Sequence, residues 1–173
     1  VISTRIDWVR EHCRLLRDIA AEFGRTRPFD GLTIGTGIHL EAKTVALLLT
    51  LRDGGARLIS TGNLNTTQPD AVSRLQAEGV TVIGGPTKDS QLHATYLDEV
   101  LAAAPDLILD NGGDLFATYL DRPYQGLLGG TEETTSGRMR LEPLRDRLRR
   151  PILVINDSPI KQFAENEHAV GQS

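Results

Sequence analysis

The fold is decided by the stretch 32–60, LTIGTGIHLEAKTVALLLTLRDGGARLIS. Its apolar run at 32–35 predicts a short β-strand, and the apolar residues of 40–51 predict a buried helix. The pair Gly54-Gly55 ends that helix, and 57–60 predicts a second strand. Two short strands joined by a helix form a βαβ unit, in which the strands run parallel.

The same alternation continues along the chain. Helices are predicted at 5–23, 70–78, 90–103, 115–119, 138–149 and from Pro159 onward. Further strands are predicted at 80–83, 107–109, 125–129 and 152–155. Short apolar strands alternating with helices indicate an α/β fold, a doubly wound and mostly parallel sheet of about six strands with helices on both faces. We predict a single domain over residues 1–173.

Composition restricts the classes of function. The 173 residues carry a net charge of −4, and 39% of them are hydrophobic, which is typical of a globular chain. The acidic balance disfavours nucleic acid and anionic membranes as partners, because both require clustered Lys and Arg. Cys13 is the only cysteine, so no disulfide forms within one chain. No apolar run reaches the roughly 20 residues that span a bilayer, and we expect a cytoplasmic protein.

Ligands of doubly wound sheets bind in the crevice beyond the carboxyl ends of the strands. The polar turns after the predicted strands are therefore candidate sites. Gly35-Thr36-Gly37 lacks the third glycine of a dinucleotide-binding loop, because Leu40 occupies that position. It predicts a tight strand-to-helix turn instead. The other polar turns lie at 61–68, 110–114, 129–137 and 156–158.

Several of these residues also have an ordinary structural interpretation. His39 suits acid–base chemistry near neutral pH, but a lone histidine in a turn is often structural. The segment 110–114, DNGGD, either approaches a ligand or caps the next helix through Asp114. The hydroxyl-rich segment 131–137 suits either sugar recognition or helix capping.

Two pairs of opposite charge are equally open to interpretation. Glu41 and Lys43 are two positions apart, which on a helix would point them in different directions. Lys161 and Glu165 are four apart and share one helical face, which is also the spacing of an ordinary exposed ion pair.

Taken in order, five segments of the chain resemble those of S-adenosylhomocysteine hydrolases. The resemblance extends from about Trp8 to Ser173, with matching order and spacing. HLEAKT at 39–44 is similar to the archaeal and thermophilic-bacterial branch of that family. The segments are IHLEAKT at 38–44, NLNTTQ at 63–68, DNGGD at 110–114, EETTSG at 132–137 and NDS at 156–158.

The resemblance implies a reaction and a cofactor. The family binds NAD tightly and oxidises the ribose 3′-hydroxyl of S-adenosylhomocysteine. The ketone acidifies the 4′ proton, homocysteine is eliminated, water adds, and the ketone is reduced again. NAD performs the redox steps, while the protein positions groups and moves protons. The resemblance implies no metal.

The motif match also implies roles for single residues. Glu133 would bind a ribose hydroxyl, Lys161 would help to deprotonate the 3′-hydroxyl, and His39 would act near the 4′ and 5′ positions. Residues expected at the nicotinamide end of NAD are Thr134, Thr135, Ser136 and Asn166. Residues expected to bind the nucleoside substrate are Glu41, Lys43, Thr66 and Gln68.

Three positions depart from the family pattern, and all of them concern the reacting sugar. Asn111 stands where a catalytic Asp is expected, and Asn cannot carry that charge or take a proton. Glu165 stands for a shorter Asp, and Ala164 for a Phe. The predicted catalytic set is thus His39, Asn111, Glu133, Lys161 and Glu165. Hydrolysis remains the first hypothesis, beside a paralogue that binds or modifies a nucleoside without hydrolysing it.

The resemblance also implies further parts of the protein. Residues 1–173 correspond to a substrate-binding domain, and we expect an NAD-binding Rossmann domain after residue 173. The 173-residue piece alone is predicted to be inactive, because the second domain forms most of the NAD pocket and closes over the substrate. Homo-oligomers are usual in the family and are expected here. The base can be adenine or hypoxanthine.

Overall fold

The computed structural model describes residues 4–168 of the chain, with a single sheet of six parallel strands. Their order across the sheet is β3-β2-β1-β4-β5-β6, which is that of a doubly wound fold. This confirms the predicted α/β class. The strands are β1 Thr33–Ile38, β2 Arg57–Gly62, β3 Thr81–Val82, β4 Leu107–Asp110, β5 Gly129–Glu132 and β6 Ile152–Val154.

Helices cover both faces of the sheet and enclose two apolar clusters. One cluster joins α1, α3 and α4 to Ile34 and Leu58, while the other joins α5 to α8 to Ile59 and Ile108. Adjacent strand residues therefore face opposite layers, as period-two geometry requires. The helices are α1 Arg5–His12, α2 Arg14–Thr26, α3 Ala42–Asp53, α4 Pro69–Ala77, α5 Ser90–Ala102, α6 Asp114–Asp121, α7 Thr135–Leu141, α8 Arg145–Leu148 and α9 Asn166–His168.

The central strand β1 is buried along its whole length, which explains its glycines. A Cβ atom on Gly35 would lie 2.7 Å from Pro105 Cγ, so a larger residue would force the neighbouring loop away. Gly35-Thr36-Gly37 lies inside the strand. The predicted strand-to-helix turn at this position was therefore wrong, and the turn begins only after Ile38.

Two helices predicted as continuous are broken in the structure. The helix predicted at 5–23 consists of α1 and α2, which are separated at Cys13 by a non-helical backbone with ψ of 78°. The helix predicted at 138–149 is α7, a 3₁₀ turn at Glu142–Leu144 and α8. Pro143 lies in that turn, where its missing N–H cannot continue the α-helical bonding.

The fifth strand differs most from its prediction. Residues 125–128 form no strand, and β5 is Gly129–Glu132, paired with Leu107–Asp110 of β4. Leu127 lies in a loop, yet its side chain is buried in the core. This buried apolar residue made the stretch resemble a strand. Gly130 is required in β5 because a Cβ atom there would overlap the carbonyl oxygen of Ile108. After β6 come a 3₁₀ turn at Ile155–Asp157 and a π-helix at Ile160–Glu165.

The connections place a crevice at the centre of the sheet. From β1 the chain passes through α3 to β2 on one side, whereas from β4 it passes through α6 to β5 on the other. The turns after β1 and β4 therefore diverge and leave a crevice at the carboxyl edge. Among residues 4–168, none of the helices has both the length and the apolar character needed to cross a membrane.

Candidate functional site

Four of the polar turns meet at the carboxyl edge of the sheet. Asn63 follows β2, His39 follows β1, Asn111 follows β4 and Glu133 follows β5. Main-chain hydrogen bonds extend the strand pairing into these turns. The N–H of Asn111, for example, donates to the carbonyl of Gly37 at 3.0 Å. The fold thus brings residues that are far apart in sequence to one crevice.

Asn111 lies at the centre of this crevice and joins two partners. Its Nδ2 donates to Oε2 of Glu133 at 2.7 Å, and its Oδ1 accepts from Nδ2 of Asn63 at 3.0 Å. Asn111 is only 7% exposed, whereas Glu133 is exposed. The structure therefore brings together two of the predicted catalytic residues. It adds Asn63, whose place directly after a buried strand was the available signal in the sequence.

Glu132 anchors the turns that carry these side chains. It is fully buried at the end of β5, and its Oε1 accepts from Gly112 N at 2.9 Å, with Oε2 accepting from Gly113 N at 2.9 Å. Oε1 also accepts from the N–H and the hydroxyl of Thr134, both at 2.8 Å. Four donors satisfy one buried carboxylate, which offsets its desolvation. Sequence reasoning missed this role, because Glu132 stands beside a second glutamate in a polar run.

A second buried carboxylate supports the same turn from β4. Asp110 accepts from the N–H of Asn111 at 2.9 Å and from the N–H of Phe116 at 2.8 Å. Burial, reinforced by the neighbouring Glu132 carboxylate, raises the pKa of Asp110 to about 8. Asp114 is not the cap of α6 as one interpretation held. The cap is Gly113 with φ of 76°, and Asp110 binds the helix N–H instead.

His39 lies on the other side of the crevice. Its Nδ1 is 2.6 Å from Oγ1 of Thr66, which fixes the imidazole against the turn after β2. With Glu41 and Gln68, these two residues line a cleft of about 450 Å³. Gln68 also accepts a hydrogen bond from Arg5. The predicted substrate residues of this turn are therefore brought to the predicted catalytic histidine.

Glu41 and Lys43 behave differently from the sequence expectation. Glu41 is not helical but extended, with φ of −141°, and it precedes the first turn of α3. Its Oε1 consequently lies 3.9 Å from Nζ of Lys43, although a helix would have separated the two side chains. Both residues line a second cleft of about 450 Å³, which also borders Glu133. Its apolar wall, which suits a flat base, includes Ile38, Leu47, Leu109 and Ile155.

The residues predicted to contact a cofactor form a separate group. Asn156 Nδ2 donates to Oγ1 of Thr135, and Asn166 Nδ2 donates to Oδ1 of Asn156 at 3.3 Å. Thr134 caps α7 by accepting from Gly137 N at 2.9 Å, and its Oγ1 lies 3.1 Å from that of Ser136. The capping interpretation of this segment is confirmed for Thr134. Thr135 and Ser136 remain exposed.

Lys161 and Glu165 form a pair of their own. Lys161 Nζ donates to Oε2 of Glu165, as the spacing of four predicts. Within residues 4–168, Nζ makes no hydrogen bond to His39 or Glu133. The structure therefore connects Asn111 to Glu133 and His39 to Thr66, but it leaves the lysine outside both groups.

Comparison with known proteins identifies the lineage of this arrangement. A sequence model described as S-adenosyl-L-homocysteine hydrolase matches residues 4–125. The chain belongs to that family. It is 40% identical over 98% of its length to an adenosylhomocysteinase of Thermotoga maritima. It is 37% identical, again over 98%, to an S-inosyl-L-homocysteine hydrolase of Methanococcus maripaludis. An adenosylhomocysteinase of Halobacterium salinarum is 38% identical over 98% of this chain.

The comparisons confirm the resemblance to the archaeal and thermophilic-bacterial branch. They also show that the chain spans 43%, 42% and 41% of the length of these three relatives. The segments that carry Glu133, Asn156 and Lys161 lie beyond the region that the S-adenosyl-L-homocysteine hydrolase model matches, but within the 98% aligned to the relatives.

Proposed function

We propose that this chain is the substrate-binding part of an enzyme that hydrolyses S-adenosylhomocysteine or a related nucleoside thioether, with NAD as redox cofactor. Family membership supports the reaction class. The observation that carries the proposal is the pair Asn111–Glu133, held at 2.7 Å at the carboxyl edge of the sheet, the edge at which His39 also follows a strand. The proposal includes an NAD-binding domain after residue 173, since the reaction needs a bound cofactor.

Glu133 is suited to bind the ribose. Within the described residues, its recorded hydrogen bond engages Oε2, and the residue is exposed at the crevice. Oε1 can therefore accept a hydrogen bond from a ribose hydroxyl, and a carboxylate forms such bonds strongly. Asn111 holds the carboxylate in place during this contact.

His39 is suited to proton transfer. Thr66 occupies Nδ1 and fixes the ring, which leaves Nε2 to exchange a proton with a ligand in the cleft. An imidazole nitrogen can donate a proton in one step and accept one in another. We assign to it the proton transfers near the 4′ and 5′ positions of the sugar.

The side chains of the predicted cofactor residues suit the carboxamide of a nicotinamide. Thr135 accepts from Asn156, so its hydroxyl hydrogen can donate, while Asn166 retains an oxygen that can accept. A carboxamide both donates and accepts, and these residues, with Ser136, would hold it. When bound, NAD would take hydride from the 3′ carbon and later return it. Lys161 would help to take the 3′-hydroxyl proton.

The base of the substrate is the finer part of the proposal. Glu41 only accepts hydrogen bonds and Lys43 only donates them, and the two line one cleft with an apolar wall. The edges of adenine and hypoxanthine each present one donor beside one acceptor. The relatives include proteins named for both nucleosides, so both substrates enter the test.

The test uses the complete protein with bound NAD. Addition of adenosine, S-adenosylhomocysteine or S-inosylhomocysteine is expected to produce the absorbance of reduced NAD, and the thioethers are expected to release homocysteine. Glu133→Gln should weaken the response, whereas Gln76→Glu on the exposed face of α4 should not. Absence of NAD reduction with all three compounds would contradict the proposal.

Asn111 favours an alternative, a diverged paralogue that binds or modifies a nucleoside without hydrolysing it. Asn111→Asp would place two carboxyl groups at hydrogen-bond distance, where one of them must hold a proton at neutral pH. A large gain of homocysteine release in Asn111→Asp would indicate a decayed hydrolase. A loss, with binding weakened about tenfold or more as pH rises, would indicate that the crevice is adapted to Asn.

A further inference from the structure

Asn63 links the two sides of the crevice through the end of the central strand. It directly follows β2, and its N–H donates to the carbonyl of Ile38 at 3.2 Å. Asn111 follows β4, and its N–H donates to the carbonyl of Gly37 at 3.0 Å. The two asparagines are thus attached to consecutive residues of β1 from opposite sides, and their side chains meet across its end.

The hydrogen bonds of the two side chains have a fixed direction. Nδ2 of Asn63 donates to the main-chain oxygen of Asn111 at 2.9 Å and to its Oδ1 at 3.0 Å. The Nδ2 of Asn111 then donates to Glu133. If the Asn111 amide were reversed, two NH₂ groups would face each other and its oxygen would face a carboxylate. Asn63 and Glu133 together therefore determine the orientation of Asn111.

The main chain of Asn63 also supports the histidine side of the crevice. Its carbonyl accepts from Oγ1 of Thr67 at 3.1 Å and from the N–H of Thr66 at 3.3 Å. Thr66 is the residue whose hydroxyl meets His39. One residue therefore holds the turn that orients His39 and the amide that orients Glu133.

We propose that Asn63 is a positioning residue, which sets the direction of the hydrogen-bond chain Asn63–Asn111–Glu133 and so orients Glu133 to accept from a ribose hydroxyl. The inference rests on the proposed function, in which Glu133 binds the ribose. Asn63 itself acts through Asn111. Its effect should therefore depend on the ribose hydroxyls of the ligand and on the acceptor character of Glu133.

The first measurement compares ligands in the complete protein with its cofactor. Asn63→Asp replaces the donor by an acceptor of the same shape, so Asn111 must reverse or lose its partner. We expect adenosine affinity to fall about tenfold, as for loss of a hydrogen bond to a charged group. Affinity for 2′,3′-dideoxyadenosine should change less than about threefold, because that ligand has no hydroxyl for Glu133.

A matched control separates orientation from charge. Gln76→Glu adds the same charge, but Gln76 is exposed on α4 and takes no part in the hydrogen bonds that join Asn63, Asn111 and Glu133. We expect it to alter adenosine affinity by less than about threefold. An equal loss in both variants would overturn the proposal, as would an equal loss for adenosine and its dideoxy analogue.

The second measurement needs no ligand. Glu133→Gln supplies an NH₂ group that can donate to a reversed Asn111. The series of hydrogen bonds can then run in the opposite direction, from the Gln at position 133 through Asn111 to the Asp at position 63. Glu133→Gln should therefore raise the folding equilibrium constant of Asn63→Asp by roughly fivefold or more, but not that of the wild type or of Gln76→Glu. The gain should persist at high salt, which screens simple charge repulsion.

The outcomes distinguish this inference from the function on which it rests. If the unaltered protein binds no nucleoside, the proposed function fails, while the ligand-free measurement still decides the role of Asn63. Additive effects of Asn63→Asp and Glu133→Gln on stability would overturn the positioning role. If Asn63→Asp does not fold, Asn63→Ala replaces it, with non-additivity against Asn111→Ala as the supporting result and additivity as the overturning one.

Discussion

The two groups of candidate residues are held in place by different kinds of interaction, buried hydrogen bonds in one and partly exposed side-chain contacts in the other. Around β4 and β5, Asn111 and Glu133 stand on turns whose N–H groups bind the buried carboxylates of Asp110 and Glu132. In residues 161–166, called the C-terminal segment below, Asn166 and the pair Lys161–Glu165 make contacts between partly exposed side chains. The first group belongs to the folded core, and the second adds little to its stability. The proposed ribose side of the site is therefore preformed, whereas the position of the lysine depends on weak contacts.

The largest expected effect concerns Glu132. Glu132→Gln replaces one accepting oxygen by an NH₂ group and sets it against backbone N–H donors that the carboxylate now satisfies. Unsatisfied buried groups cost about 1–3 kcal/mol each, so we expect the free energy of unfolding to fall by about 3 kcal/mol. Urea denaturation followed by circular dichroism measures the change.

The neighbouring residue provides the matched control. Glu133→Gln is the same chemical change one position away, but on an exposed side chain, and Gln can still accept from Asn111. We expect it to lower the free energy of unfolding by less than about 1 kcal/mol. Similar losses in the two variants would remove the distinction between a buried anchor and an exposed ligand group.

Asp110 gives the same region a dependence on pH. Its pKa is about 8 in the fold, against 3.8 for an unperturbed aspartate, so between these values the folded protein keeps a proton that the unfolded chain releases. The stability that this proton confers is complete below pH 3.8 and is lost as pH rises through about 8. The slope is up to about 1.4 kcal/mol per pH unit.

Asp110→Asn isolates this contribution from that of other groups. The variant cannot ionise, and its amide accepts only one of the two N–H groups that Asp110 binds. It should be less stable than the wild type in acid, and the difference should shrink as pH rises. Urea unfolding of both proteins across that range measures it. A difference independent of pH would mean that folding leaves the pKa of Asp110 unchanged.

The sequence was sufficient for the fold class and for the edge of the sheet that carries the site. The order of short apolar strands and helices, as at Thr33–Ile38 and Ala42–Asp53, follows from local pattern alone. The prediction from local pattern failed at 125–129, where the buried Leu127 lies in a loop but gives the sequence the apolar character of a strand. The glycines that begin β5 are needed because Pro151 approaches Gly129 and Ile108 approaches Gly130, and such tertiary contacts leave no local pattern.

The candidate site shows the same division. The turns that carry Asn111 and Glu133 were predicted because side chains beyond strand ends converge in a doubly wound sheet, whereas the roles of the two residues came from the resemblance to the family. Asn63 and Glu132 were missed as site residues, because their importance lies in which donors and acceptors they meet. Those partners come from other strands, and their geometry exists only in the folded chain.

The smallest expected effect on stability belongs to the C-terminal segment. The side chains of Lys161 and Glu165 are 26% and 40% exposed and form an i,i+4 pair. Such pairs contribute about 0.3–0.5 kcal/mol. A double-mutant cycle with Lys161→Met and Glu165→Gln should therefore give a coupling energy below about 0.5 kcal/mol in urea unfolding.

The same variants should nevertheless abolish NAD reduction by adenosine in the complete protein, because Lys161 is the group proposed to take the 3′-hydroxyl proton. Arg27→Met with Asp30→Asn is the control, since that exposed ion pair before β1 has no proposed chemical role. A coupling energy above about 1 kcal/mol for Lys161 and Glu165 would show that the C-terminal segment is anchored like the turns around Glu132. The contrast between a preformed ribose side and a weakly held lysine would then have no basis.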